Sequence, residues 1–372
     1  MVFPAPTASP LPPIVLDAVV IGAGQAGLAA AYYLQKRGVR FRVLEAAPNA
    51  GAAWTARYDS LRLFSPAWAS GLPGRAWPGN PLRYPTRDET EAYLRDYAAH
   101  FSFPIDTDQR VTRLAPAAGQ PGYVVHTAAG RTYRARYVII ATGPYAQPRL
   151  PAWASQLPPT VVQLPSRDYQ RPAQLPGTGP VAVVGSGNSA LQIAADLAAT
   201  GRPVLAAYDE RTSATPNNQL IWAGITLTGF LRVPRHTALG RRLQARPDGV
   251  VSGDLHRLRG FANVSFVGRA TGVLPGGIIQ GEAAATPPLE AVVWATGYQP
   301  DYPWLELPII APDGHPQHAR GLTAAPGVAF LGLDWLDTRS SALLNGAGHD
   351  ARRVVATLLG GQPAQPALIP NA

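Results

Sequence analysis

The 372-residue chain contains no cysteine, one lysine and one methionine. Without cysteine there can be no disulfide, no thiolate-held zinc or iron–sulfur cluster, no thiol nucleophile and no dithiol relay. Lys36 is the only lysine beside thirty-one arginines and falls at the end of an expected helix, a poor position for Schiff-base chemistry. Long apolar runs are scarce as well. Residues 14–34 approach the length of a membrane span, but Asp17, Gln25 and three glycines interrupt them in a pattern better read as a nucleotide turn, so no membrane span is expected. Residues 1–13 are proline-rich and lack a basic leader, which reads as a loose tail rather than a signal peptide and points to a cytoplasmic location.

What is abundant is glycine (37), proline (39) and hydrophobic residues (46%), with 15% charged. That composition supports a large core in two or three domains and argues against wholesale disorder. The net charge of +9 comes from arginines scattered in ones and twos, which makes no nucleic-acid-binding stripe. No GxSxG elbow is present for a serine nucleophile. His315 and His318 are the only close histidine pair and read as solvated turn residues rather than metal ligands, so no metal is expected. Asp17, His100 and His126 are read as structural or surface residues.

Two stretches share one grammar. An apolar strand ends at Ile21 and opens into Gly22-Ala23-Gly24-Gln25-Ala26-Gly27, followed by an alanine-rich helix and a second strand ending in Glu45. A second strand, 181–184, opens into Gly185-Ser186-Gly187-Asn188-Ser189-Ala190, followed by a helix and a strand leading to Asp209. A strand-to-helix turn of this kind aims unhindered main-chain N–H groups at a pyrophosphate. Glu45, 23 residues after Gly22, is placed to accept ribose hydroxyls, and Asp209, 24 residues after Gly185, favours a free 2′-hydroxyl and hence NADH over NADPH, a preference that Arg211 could soften.

A further phrase also occurs twice: a short strand, then Ala141-Thr142-Gly143-Pro144, and again Ala295-Thr296-Gly297 with Pro300 following. Between the two glycine turns, residues 144–180 hold nine prolines, the composition of a crossing segment. The expected architecture is α/β: a Rossmann-like first domain, residues 14–150 and 291–372, interrupted by a second Rossmann-like domain, residues 151–290.

Together these features resemble the two-dinucleotide-binding flavoproteins. With no cysteines, the chain resembles their flavin-containing monooxygenase branch, in particular its short bacterial members and the related plant auxin-forming enzymes. Gly51-Ala52-Ala53-Trp54 is similar to that family's GGxW. Arg57-Tyr58-Asp59-Ser60-Leu61-Arg62-Leu63-Phe64-Ser65-Pro66 is similar to its RYDSLRLxTP phrase, and Leu343-Leu344-Asn345-Gly346-Ala347-Gly348-His349-Asp350 to the turn that leads the last helix toward the flavin.

The resemblance implies FAD in the first unit, touching Gly22, Gly24, Gln25, Ala26, Gly27, Glu45, Trp54, Leu63, Phe64, the main chain at Val111, and Ala141-Thr142-Gly143. It implies NADH or NADPH in the second, at Gly185, Ser186, Gly187, Asn188, Ser189 and Asp209. It further implies oxygenation of a small organic substrate by O2 through a C4a-peroxyflavin, at a sulfur, nitrogen or carbonyl centre. No catalytic side chain is identified, and a homodimer is left open.

One departure bears on the activity. The family's FxGxxxHSxxY motif aligns with residues 159–169, where Ser166 and Tyr169 fit but Pro165 stands at the histidine position. That leaves two alternatives beside the monooxygenase: an uncoupled NAD(P)H oxidase or reductase, and a non-catalytic nucleotide-sensing flavoprotein.

Overall fold

The computed structural model describes residues 12–246 and 249–360. The expected N-terminal tail lies outside the described residues as far as residue 11. Strand Ile14–Ile21 forms because its apolar side chains, buried from Ala18 onward, sit in the middle of a sheet with both faces covered. It pairs in parallel with Phe41–Leu44 on one side and Thr132–Ile140 on the other, so that Ile21 lies opposite both Leu44 and Ile140. The seven-stranded sheet runs Ile105–Asp106, Phe41–Leu44, Ile14–Ile21, Thr132–Ile140, Tyr123–Thr127, Val111–Pro116, with Val328–Phe330 alongside the end of Thr132–Ile140. Helix Gln25–Lys36 buries Ala26, Gly27, Leu28, Ala29, Ala30, Ala31 and Leu34. Its small side chains let it pack closely between the sheet and the last helix, Leu344–Leu359, in one core that includes Val20, Ile139, Phe330 and Val354.

The second sheet is entirely parallel, in the order Val264–Phe266, Val204–Ala207, Val181–Val184, Ala291–Trp294, Val162–Pro165. Every residue of Val181–Val184 is buried, as a central parallel strand requires. Helix Asn188–Ala198 covers this sheet with Leu191, Ile193, Ala194 and Leu197.

This arrangement corrects one expectation. Residue 291 was to open the return to the first domain, yet Ala291–Trp294 pairs with Val181–Val184 on one side and Val162–Pro165 on the other. The second sheet therefore continues through Trp294, because this strand's long-range partner is the strand that precedes the second glycine turn. Just beyond it, Tyr298–Gln299 pairs with Gln147–Pro148, so the outgoing and returning chains are tied together where they cross. Among the described residues, no helix is long and apolar enough to cross a membrane.

Candidate dinucleotide sites

The first glycine turn follows Ile21 at the carboxyl ends of parallel strands, where α/β sheets bind ligands. Gly22 has φ +104°, and its N–H donates to Leu44 O at 2.8 Å. A β-carbon there would lie 2.6 Å from the Ala141 carbonyl oxygen, and one at Gly27 would lie 1.9 Å from the Gly22 carbonyl oxygen. At Gly24, which caps helix Gln25–Lys36, no atom lies within 4 Å of that position. The turn is thus packed hard on the protein side and open on the side where a pyrophosphate would meet the helix N-terminus, so its residues fit such a group.

Glu45 sits at the mouth of this turn. Ala23 N–H donates to one carboxylate oxygen at 2.7 Å and Ala47 N–H to the other at 2.9 Å, which leaves lone pairs on both oxygens for ribose hydroxyls. The Gln25 amide donates to Ala342 O at 3.2 Å, tying the turn to the segment that enters the last helix. Ala26 is buried, and a β-carbon at Gly332 would come 2.7 Å from its own. Val111 begins the strand just after Gln109, whose N–H donates to Glu45 O at 2.8 Å. Ala141 is buried, with its N–H on Ile21 O at 2.9 Å. Beside Thr142 lies Tyr302, whose phenol burial pushes up to about 12, and Gly143 has φ +76°.

Trp54 is half-buried against the first core and Leu63 is buried. Phe64 turns toward the second domain, where its ring stacks on Trp222 with centroids 6.4 Å apart. The Trp222 indole N–H donates to Phe64 O at 3.1 Å and to Asn217 Oδ1 at 2.7 Å.

The second turn repeats the construction of the first. Gly185 has φ +147°, and a β-carbon on it would lie 2.1 Å from the Ala295 carbonyl oxygen, while the space beside Gly187 is open. Ala295 N–H donates to Val184 O at 2.8 Å, as Ala141 does to Ile21. Each Ala-Thr-Gly phrase is therefore the back wall of one turn. Side chains that the sequence offered to the nucleotide are engaged in building this turn. Ser186 Oγ accepts from Asp209 N–H at 2.8 Å, Asn188 Oδ1 accepts from Val251 N–H at 2.8 Å, and Ser189 is exposed. Both bonds use acceptor lone pairs, so the Ser186 hydroxyl and the Asn188 amide keep protons to donate to an anion beside the main-chain N–H groups. Asp209 is itself occupied: Arg211 Nε and Nη2 donate to its two oxygens at 2.8 and 3.0 Å and hold the carboxyl below its usual range. The acid expected to select NADH is thus largely neutralised by its neighbour.

The RYDSLRL phrase serves two places. Tyr58 and Leu61 pack in the core of the second domain. The Tyr58 hydroxyl donates to Gln192 Oε1 at 3.0 Å, and the Gln192 amide to Asp254 at 2.9 Å. Asp59 pairs with Arg87 at 2.5 Å and with Arg171 at 3.1 Å. Beyond them, Leu63 packs in the core of the first domain and Phe64 stacks on Trp222.

Pro165 ends an edge strand of the second sheet, where a missing N–H is tolerated. Ser166 N–H donates to Trp294 O at 2.8 Å, and Tyr169, fully buried, donates to Asp196 at 2.9 Å. Around the site of the family's histidine, Arg57 and Ser166 meet Tyr145 and Tyr298, two residues that sequence reasoning did not single out. Arg57 donates to the Tyr298 hydroxyl at 2.5 Å and lies 5.0 Å from the Tyr145 ring centroid and 5.2 Å from that of Tyr298. Ser166 Oγ is 3.5 Å from the same hydroxyl. Tyr298 follows Ala295-Thr296-Gly297 directly, the one local signal that could have drawn attention to it.

His315 is exposed, as expected, but His318 is not a solvated turn residue. Its Nδ1 accepts from Gly321 N–H at 3.1 Å. Burial first, then the charges of Arg235 and Arg353, push it down to about 4. Asp337, His349 and Asp350 bring ligand atoms within 4.8 Å of one another, but Asp337 is already clasped by Arg320 at 2.9 Å and Asp350 by Arg353 at 3.1 Å.

The sequence matches the profile described as pyridine nucleotide-disulphide oxidoreductase over residues 19–224, more than half of the chain. It is 36% identical over 350 residues, 93% of this chain and 99% of the relative, to an uncharacterized CzcO-like oxidoreductase of Geobacillus kaustophilus. It is 34% identical over 185 residues, 50% of this chain and 45% of the relative, to the indole-3-pyruvate monooxygenase YUCCA1 of Oryza sativa. Among solved structures it is similar to a flavin-containing monooxygenase from Stenotrophomonas maltophilia, with 30% identity, 93% of this chain and 99% of that chain covered, and a TM-score of 0.75.

Proposed function

Because the chain belongs to the pyridine nucleotide-disulphide oxidoreductase family, as an oxidoreductase of flavin-monooxygenase type, we propose that it binds FAD at the first glycine turn and NAD(P)H at the second. On this reading it oxygenates a small organic substrate with O2 at a sulfur, nitrogen or carbonyl centre, in the cytoplasm. The disulphide chemistry in the family's name has no counterpart in a chain without cysteine. The observation that carries the reading is the duplicated cradle: in each turn the first glycine is backed by an Ala-Thr-Gly carbonyl and the middle glycine faces open space.

Main-chain N–H groups beside Gly24 and Gly187 hold the two pyrophosphates, and Glu45 orients the first ribose. When bound, the flavin supplies hydride acceptance from the nicotinamide and reaction with O2. The residues 57–61 that dock the second domain fix the separation of the two turns and hence the stacking of the two cofactors. Arg57, held between Tyr145 and Tyr298, places a fixed positive charge at the crossing where the family has a histidine.

A second reading, an oxidase or reductase that releases peroxide, is favoured by Pro165, which offers neither an imidazole nor a backbone donor there. The two are separated by following NAD(P)H consumption together with oxygenated product and peroxide over a panel of sulfides, amines and ketones. Product equal to NAD(P)H consumed supports oxygenation, and peroxide with every compound supports the oxidase. Family membership weighs against the non-catalytic sensor.

A further inference from the structure

A cavity of about 330 Å³ opens between the loop after Phe64, the helix Gln219–Leu227 with the turn that follows it, and the start of the last helix. Trp68, Leu72, Ile225 and Leu231 give it apolar walls, and its polar groups include Arg232 and Asn345. Arg232 is exposed, and no side-chain hydrogen bond or ion pair joins it to any described residue. It also lies in a stretch, residues 211–246, that holds six arginines and no acid, so no nearby carboxylate in sequence can neutralise it. Asn345 stands in the first turn of the last helix, and its Oδ1 is buried without any partner.

We infer that this cavity is the substrate pocket and that it selects organic acids: an apolar body lies against Trp68, Leu72 and Ile225, and the carboxylate is held by the Arg232 guanidinium. The inference rests on the flavoprotein reading, since the pocket is bounded by the loop after Leu63 and Phe64 and by the turn leading the last helix toward the flavin. An unpaired guanidinium beside apolar side chains matches an amphiphilic anion, because its forked donors fit a carboxylate while the rest of the molecule lies against Trp68, Leu72 and Ile225. A neutral amide of the same shape offers Arg232 one uncharged acceptor in place of a carboxylate's two charged oxygens.

The test is isothermal titration calorimetry of the purified protein with hydrocinnamate and with its neutral amide, in the wild type and in Arg232→Gln, Arg232→Lys and Ile225→Trp, with the visible flavin spectrum recorded on each sample. The acid should bind at least about tenfold more tightly than the amide to the wild type. Arg232→Gln should erase that difference, Arg232→Lys should keep part of it, and Ile225→Trp, which fills the cavity, should weaken both probes. Equal affinity for acid and amide, no binding of either, or a preference that survives Arg232→Gln would overturn the inference, and in a yellow sample would do so without touching the proposed function. A sample that is colourless, takes up neither FAD nor NAD(P)H when they are supplied, and still distinguishes acid from amide would uphold the pocket and overturn the flavoprotein reading instead.

Discussion

A β-carbon placed on Gly185 would fall 2.1 Å from the carbonyl oxygen of Ala295, a residue 110 positions later in the chain. The contact makes the glycine obligatory for folding, whereas Gly187, two residues on, faces open space and is free for a ligand. Gly185→Ala is therefore expected to destabilise the protein by about 3 kcal/mol or more, since the backbone is also in a region that L-residues avoid. Gly187→Ala should cost less than about 1 kcal/mol of stability yet weaken NAD(P)H binding at least about tenfold. Thermal denaturation alongside nucleotide titration checks both, and equal stability loss in the two variants would contradict the assignment.

Asp209 and Arg211 act against each other in nucleotide choice. Removing the guanidinium in Arg211→Ala frees the carboxylate to accept ribose hydroxyls and should raise the NADH-to-NADPH ratio of kcat/KM by about tenfold. Asp209→Ser should lower it. Ratios that stay put in both variants would show that the adenosine ribose lies elsewhere.

His318 gives the protein an acid-sensitive point. It titrates near 6.5 when unfolded and is pushed down to about 4 when folded, so the unfolded chain binds the additional proton between those values. The associated stability is complete above pH 6.5 and is lost as the pH falls toward 4, by about 3 kcal/mol. Urea denaturation across this range should show that slope in the wild type and a flatter one in His318→Gln. Parallel slopes would mean that other groups dominate.

The Tyr58–Gln192–Asp254 chain holds the two domains in register through bonds of 3.0 and 2.9 Å. Tyr58→Phe strands the Gln192 carbonyl and should cost about 1–2 kcal/mol. If docking sets the distance between the cofactors, the rate of flavin reduction by NAD(P)H should also fall in stopped flow, with nucleotide affinity unchanged.

Both glycine turns could be read from residues near in sequence, because strand, turn, helix and acid follow one another within about thirty positions. The place of Ala291–Trp294 could not. Its short apolar run suits either sheet, and only pairing with Val181–Val184 and Val162–Pro165, more than a hundred residues away, decides between them. The second partners of the second turn's side chains are hidden in the same way: Ser186 and Asn188 accept from the main-chain N–H groups of Asp209 and Val251, 23 and 63 residues away. Arg232 and Asn345 are 113 residues apart and meet only in the folded chain.

The central claim is that two matched cradles hold a flavin and its reductant side by side. Its most direct test is the visible absorbance of the purified protein without oxygen, before and after adding NAD(P)H. The account predicts a yellow protein carrying about one flavin per chain that bleaches on addition of the nucleotide and recovers its colour when air is admitted. A protein that is colourless as isolated, and takes up neither FAD nor NAD(P)H when they are supplied, would contradict it.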